Sequence, residues 1–210
     1  MRILVTAGPT HEPLDDVRFL ANASSGRLGF AVAAAAMALG HRTVLVCGPT
    51  PLPPPFGPET VRVETAASMR EACLAAFPAV DAVIMTAAVA DWRPAQRHQG
   101  KLKKDAGPPD LPLVRTADIL SELSSRREHQ ILVGFALEAA DGEVNARQKL
   151  TGKGLDLVVL DSPAAIGAER SDFVLLGPGG WRNHYRSISK EILAHRLVSF
   201  VANARLLTGR

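Results

Sequence analysis

The sequence predicts an α/β fold in three layers, a mainly parallel sheet covered by helices on both faces, with a long lid loop beside it. Three observations predict it: short apolar runs alternate with helix-like stretches, an alanine-rich stretch follows the first run, and a proline- and glycine-broken segment follows the third. Strands that are apolar throughout belong in a sheet buried on both faces, which parallel strands with helical crossovers provide. The strands are read at Ile3–Ala7, Thr43–Cys47, Ala82–Thr86, Ile131–Ala136 and Leu157–Leu160. The first helix is read from Gly26 to Leu39, with Ser24 and Ser25 as caps, alanines favouring the helix and Gly40 ending it. Ser68-Met-Arg-Glu71 reads as the capping box of a second helix that ends near Pro78. Ser187 or Ser189 starts a C-terminal helix with Leu193, Leu197, Val201 and Ala204 on one face. The whole reads as a Rossmann-like arrangement, and with no internal repeat it is expected to be one domain over residues 1–210.

Two segments stand outside the alternation. Residues 49–58 hold six prolines in ten positions, which suits an extended surface connection and not a central strand. The stretch from Ala87 to Pro112 is broken by Pro94, Gly100, Gly107, Pro108 and Pro109, and a loop of that length in a small domain reads as a lid over a site.

Composition narrows the function. Apolar residues make up 47% of the 210, enough for a substantial core, while a net charge of +3 excludes the dense basic field of a nucleic-acid binder. Cys47 and Cys73 have no C-x-x-C or Cys/His spacing, against a zinc site or disulfide framework. No apolar window is long enough to span a membrane, and Met1-Arg2-Ile-Leu-Val leads into the first strand without a signal core, so a cytoplasmic protein with a small anionic ligand is expected.

The candidate chemistry sits at strand ends. Thr6-Ala-Gly-Pro-Thr10 closes the first strand, and Asn22-Ala-Ser-Ser-Gly-Arg-Leu-Gly29 opens the alanine-rich helix, whose free amides and dipole suit a phosphate. The glycines fall at 8, 26 and 29, which is not the G-x-G-x-x-G of nicotinamide binders; the bland alternative is a capped helix with a packing glycine. Ala87-Ala-Val-Ala-Asp-Trp-Arg-Pro94 follows a strand, and its Asp91 suits a ribose hydroxyl, a base amine or a metal, or else an ordinary turn. Lys101 and Lys103 of Lys101-Leu-Lys-Lys104 share a side of an extended segment, and Lys149 and Lys153 share a helix face; both pairs repel unless an anion lies opposite. Glu138 suits a metal or begins a loop, and the metal ligands stay undetermined. A short-chain nicotinamide reductase is the main rival reading, but the lone Tyr185 has Ser189 and not lysine four residues on; a non-catalytic nucleotide-binding domain is the other.

The order of these segments is more specific than any of them. The run from Leu4 to Asp15, the run from Val17 to Gly29, then Ala87–Pro94, Lys101–Lys104, Thr116-Ala-Asp-Ile-Leu120, Val133-Gly-Phe-Ala-Leu-Glu138 and Ala146–Leu150 with Lys153 closely resemble phosphopantothenoylcysteine synthetase. The resemblance covers roughly residues 3 to 161. It implies a ligase of coenzyme A biosynthesis: the carboxylate of 4'-phosphopantothenate attacks the α-phosphate of a nucleotide, CTP with Mg2+ in bacterial members, and cysteine displaces CMP from the acyl-cytidylate. It further implies that Asn22 holds the activated acyl group and Lys101 reaches the phosphates. Asp91, Ala117, Asp118, Ile119, Leu120, Phe135, Lys149 and Lys153 would contact the nucleotide, and Arg18, Ser24, Ser25, Gly26, Ala87 and Ala88 the substrate. A homodimer is implied, as is association with a flavin-dependent decarboxylase; that domain is missing here, so the chain is a stand-alone enzyme or a piece of a bifunctional one. The chain has Gly8-Pro9-Thr10, Thr116-Ala117 and Asp161-Ser162 where the family commonly has Gly-Gly-Thr, Asn-Pro and Asn-Asp.

Overall fold

The computed structural model describes residues 1–103 and 110–208. In chain order come β1 (Arg2–Ala7), the small strands β2 (Glu12–Pro13) and β3 (Phe19–Leu20), α1 (Arg27–Ala38), β4 (Arg42–Cys47), β5 (Glu59–Arg62) and α2 (Ala66–Ala76). Then follow β6 (Ala82–Met85), β7 (Trp92–Pro94), β8 (Leu113–Arg115), α3 (Ile119–Ser125), β9 (Ile131–Leu137) and α4 (Gly142–Gly152). The chain closes with β10 (Leu157–Asp161), β11 (Arg170–Leu176), β12 (Arg182–Ser189) and α5 (Lys190–Thr208).

Eight strands form one sheet in the order β12-β11-β10-β9-β6-β1-β4-β5. From β5 to β10 every pairing is parallel, and β11 and β12 extend one edge antiparallel. Alternate residues of each strand face opposite sides, so Ile3, Val5 and Ala7 pack with α1 and α5 while Leu4 packs with α2, α3 and α4. Three layers and two cores result. The chain leaves β1 in one direction along the sheet and later returns to its other side through β6, and this reversal opens a crevice at the carboxyl ends of those two strands. Among the described residues no helix is long and apolar enough to cross a membrane.

Several local expectations are corrected. Gly26 and not a serine is the N-cap of α1, in the left-handed region at φ 76°, with no side-chain cap bond. Its positive φ suits glycine, and a Cβ there would sit 3.2 Å from the backbone nitrogen of Gly8. Ser68 is the third residue of α2; Thr65 is the cap, and the two form the reciprocal box. Ser189, the last residue of β12, caps α5, its hydroxyl accepting from the Ile192 amide at 3.3 Å, whereas Ser187 stands two residues earlier in that strand. The segment from Ala87 to Pro112 is not all loop, because β7 pairs antiparallel with β8. Lys104 and Gly107–Pro109 lie outside the described residues.

Candidate active site

Two loops stitched together form the floor of the crevice. The Ala87 amide donates to Thr6 Oγ1 at 3.1 Å, the Ala88 amide to the Gly8 carbonyl at 3.0 Å, and the Ala90 amide to Thr10 Oγ1 at 2.9 Å. Small side chains at 87–90 are what let the chain run this close to the end of β1. Asn22 adds a third strand to the seam, its Nδ2 donating to the Val89 carbonyl at 2.9 Å and the Ala88 carbonyl at 3.4 Å. Pro9 stands within this seam, bridged to Ala88, so its missing donor does not break the join. Thr116 ties in the far side, its amide donating to the Asp91 carbonyl at 3.0 Å and its hydroxyl to the Ala90 carbonyl at 2.6 Å.

Above this floor lies an open cleft of about 920 Å3. Asn22, Ser24, Ser25 and Gly26 line it from the start of α1, Ala87, Ala88 and Asp91 from the end of β6, and Ala117, Asp118, Ile119 and Leu120 from the start of α3. Phe135 lines it from β9, and Lys149 and Lys153 from the end of α4. Arg18 and Lys101 are exposed and are not among the lining residues. Ser24 and Ser25 hydroxyls accept from the Gly26 and Arg27 amides at 3.4 Å, long contacts that hold the first amides of α1 only weakly.

The two lysines of α4 are accommodated differently. Lys153 pairs with Asp118 at 2.6 Å, and Asp118 also caps α3 by accepting from the Ser121 amide at 3.0 Å. Lys149 donates to the Phe135 carbonyl; its burial, and then the charge of Lys153, pull its pKa down. One cation here is thus neutralised and the other partly desolvated. Glu138 accepts from Asn145 Nδ2 at 3.0 Å, an interaction that suits a loop anchor.

The cleft is also lined by residues to which the sequence assigned no role. Arg27 follows Gly26, and Lys190, at the start of α5, is buried with its ammonium donating to the Ala165 and Ala168 carbonyls at 3.2 and 3.0 Å. Asp161 completes the group, its Oδ1 accepting from the Ser162 amide at 2.8 Å and Ser171 Oγ at 3.3 Å. Nothing local marks Lys190 as a site residue; only the packing of α5 on α1 brings it there. Among the described residues no three His, Cys, Asp or Glu side chains are grouped to hold a metal. Tyr185, on which the reductase reading turned, lies on β12 and is not among the lining residues.

Burial pushes the Asp161 carboxyl up to about 6 from an ordinary value of 3.8. A carboxyl whose folded pKa is raised favours the protonated fold, so its contribution is fully present at low pH and is lost as pH climbs through that interval. Asp161→Asn keeps both acceptor contacts without the charge. The variant is expected to match the parent in urea unfolding at about pH 4 and to be more stable by on the order of 1 kcal/mol at about pH 7.5, after allowing for partial exposure. Equal stability at both pH values would mean that Asp161 is well solvated.

A doubly wound sheet with helices on both faces and a polar, cation-bearing cleft at the carboxyl ends of its strands defines a class, the Rossmann-like three-layer α/β proteins. Within that class, the chain belongs to the family described as the DNA/pantothenate metabolism flavoprotein C-terminal domain, whose model matches residues 1–204. It is 42% identical over 212 residues to the coenzyme A biosynthesis bifunctional protein CoaBC of Bacillus subtilis (strain 168), a match covering 99% of this chain and 52% of that protein. The chain therefore spans about half the length of that relative. The crystal structure of the C-terminal domain of a coenzyme A biosynthesis bifunctional protein CoaBC superposes with a TM-score of 0.83 at 37% identity, over 95% of this chain and 93% of that one. A structure of Cab2 in complex with phosphopantothenate-cysteine shares the fold, with a TM-score of 0.81 at 16% identity over 100% of this chain and 89% of that one.

Proposed function

We propose that this chain ligates 4'-phosphopantothenate to cysteine through an acyl-cytidylate, in coenzyme A biosynthesis and in the cytoplasm. The observation that carries the reading is that motif segments far apart in sequence, at 22–26, 87–91, 117–120, 135 and 149–153, converge on one cleft. In the first step the pantothenate carboxylate attacks the α-phosphate of CTP and pyrophosphate leaves; in the second the cysteine amine attacks the acyl carbon and CMP leaves. Such chemistry needs positioning and distributed positive charge more than a covalent protein group. The amides at the start of α1 and Arg27 would hold phosphate oxygens, Phe135, Asp118, Lys149 and Lys153 the nucleoside end, and Asn22 the acyl group. Ser24, Ser25, Gly26, Ala87 and Ala88 would shape the substrate's path between them.

Mg2+ would arrive with the triphosphate, and Asp91, which lines the cleft beside the small residues of the floor, would be the carboxylate to hold it. It would offset phosphate charge while the chain's own residues orient the reacting atoms. A homodimer is supported by exposed apolar side chains clustered on the two small hairpins, Phe19 and Leu20 on β3, Trp92 on β7, and Leu113 and Val114 on β8. Association with a flavin-dependent decarboxylase is supported by the relatives named bifunctional that are about twice as long.

Pyrophosphate release decides the activity. Release from CTP is expected on addition of phosphopantothenate, with sustained turnover when cysteine is also present, and weaker turnover with ATP because base-reading donors would be left unpaired. No phosphopantothenate-dependent release would remove the ligase reading; ATP serving as well as CTP would remove only the choice of nucleotide.

A further inference from the structure

Lys101 and Arg18 are assigned to the reaction by motif but stand outside the cleft, and the structure shows what holds them. The turn between β2 and β3, residues 14–18, grips the segment 97–102 at alternate residues. The His98 amide donates to the Leu14 carbonyl at 2.9 Å, the Asp16 amide to the Gly100 carbonyl at 3.3 Å, and the Arg18 guanidinium to the Leu102 carbonyl at 2.9 Å. Side chains reinforce this from both flanks of Lys101. Asp16 accepts from the Gly100 amide at 2.9 Å and from Arg97 at 2.8 Å, and Asp15 accepts from the Leu102 amide at 3.1 Å.

Asp15 is the centre of the arrangement. It is 3% exposed, and its Oδ1 also accepts from the Val17 and Arg18 amides at 2.8 and 2.7 Å while Arg18 closes on Oδ2. The Arg18 guanidinium holds this carboxyl well below the ordinary carboxylate range, so it stays charged across neutral pH. Gly100 sits at φ +73°, a left-handed conformation that brings its amide to Asp16 and that a side chain would strain. The other end of the turn leads through β3 directly to Asn22, four residues after Arg18.

We propose that Asp15 and Asp16 are positioning residues that clamp the backbone on both sides of Lys101 and, through β3, hold it in register with Asn22. The inference rests on the ligase reading for its catalytic consequence, and on geometry alone for the clamp. The turn is thus an anchor for the lysine, and the Arg18–Asp15 pair serves that anchor.

Two measurements test it, both on the full chain. Amide hydrogen exchange at Gly100 and Leu102 is expected to be faster in Asp16→Ala than in the parent, with or without nucleotide. In steady-state pyrophosphate release, Asp16→Ala is expected to lower kcat/KM for the nucleotide about tenfold, Lys101→Ala to lower it further, and the double variant to match Lys101→Ala alone. Asp16→Asn, which keeps an acceptor for the Gly100 amide, should recover part of the loss. Unchanged exchange overturns the clamp. The same fold-loss from Asp16→Ala in both backgrounds makes Asp16 an ordinary structural residue, and a fully active Lys101→Ala removes the consequence proposed for the clamp. A parent that releases no pyrophosphate strikes the ligase reading instead, while the exchange result still decides the clamp.

Discussion

Asn22→Ala is expected to fold and bind CTP near normally and to lose at least about a hundredfold in turnover, the loss typical of removing one preorganised donor to a developing oxyanion. The structure sharpens the reason. Asn22 is exposed at the cleft, and its Nδ2 donates to the Val89 carbonyl at 2.9 Å and only weakly to the Ala88 carbonyl at 3.4 Å. The Val89 contact fixes the side chain while the weak one can be exchanged for an acyl oxygen by a small rotation of the whole amide. If the side chain serves only to tie the two loops together, the loss is about 1 kcal/mol of stability with turnover preserved. Thermal unfolding and pyrophosphate release on the same preparation separate the two. Asn22→Asp keeps the shape and removes the donors, so it should be as inactive as the alanine variant; an active aspartate variant would contradict the donor role.

Gly29→Val is expected to have the largest effect on stability. A Cβ at Gly29 would lie 2.5 Å from Ala7 Cβ, 2.6 Å from Thr86 Oγ1 and 2.8 Å from the Thr6 carbonyl oxygen. Those atoms belong to β1 and to the end of β6, at the middle of the sheet, and neither can yield without disturbing the floor of the cleft. Overpacking at such a contact costs about 3 kcal/mol, which for a chain of this size lowers the melting temperature by roughly 6–12 °C. Because α1 must lift to make room, its N-terminal amides move with it and nucleotide affinity should fall in parallel. A melting temperature within about 2 °C of the parent would mean that α1 can slide on the sheet.

The parallel strands β1, β4, β6, β9 and β10 were legible because each is apolar on both faces, and α1 because its alanines and its glycines have one consistent use. The motif residues were legible as an ordered set, and most of them meet at the cleft. Other features had no local signature. β5 is largely polar and β7 only three residues long, so their pairings depend on a neighbour and not on their own pattern. α3 has seven residues, below the length at which periodicity speaks, and is held by its Asp118 cap and by packing. Serines beside Gly26 read as caps by propensity, but the approach of Gly26 to Gly8 demands a left-handed residue at that point, and the glycine takes the position.

Amino-acid order alone was enough to specify the layered sheet, the start of α1 near Gly26 and many of the cleft residues, because those follow from side-chain periodicity and from short segments whose chemistry is local. The union of Arg27, Asp161 and Lys190 in the cleft, the neutralisation of Lys153 by Asp118, and the grip of the Asp15–Asp16 turn on Lys101 were settled only by folding. Each joins groups from distant elements, and a charge's partner, like its pKa, is set by what packing brings within a few ångströms of it.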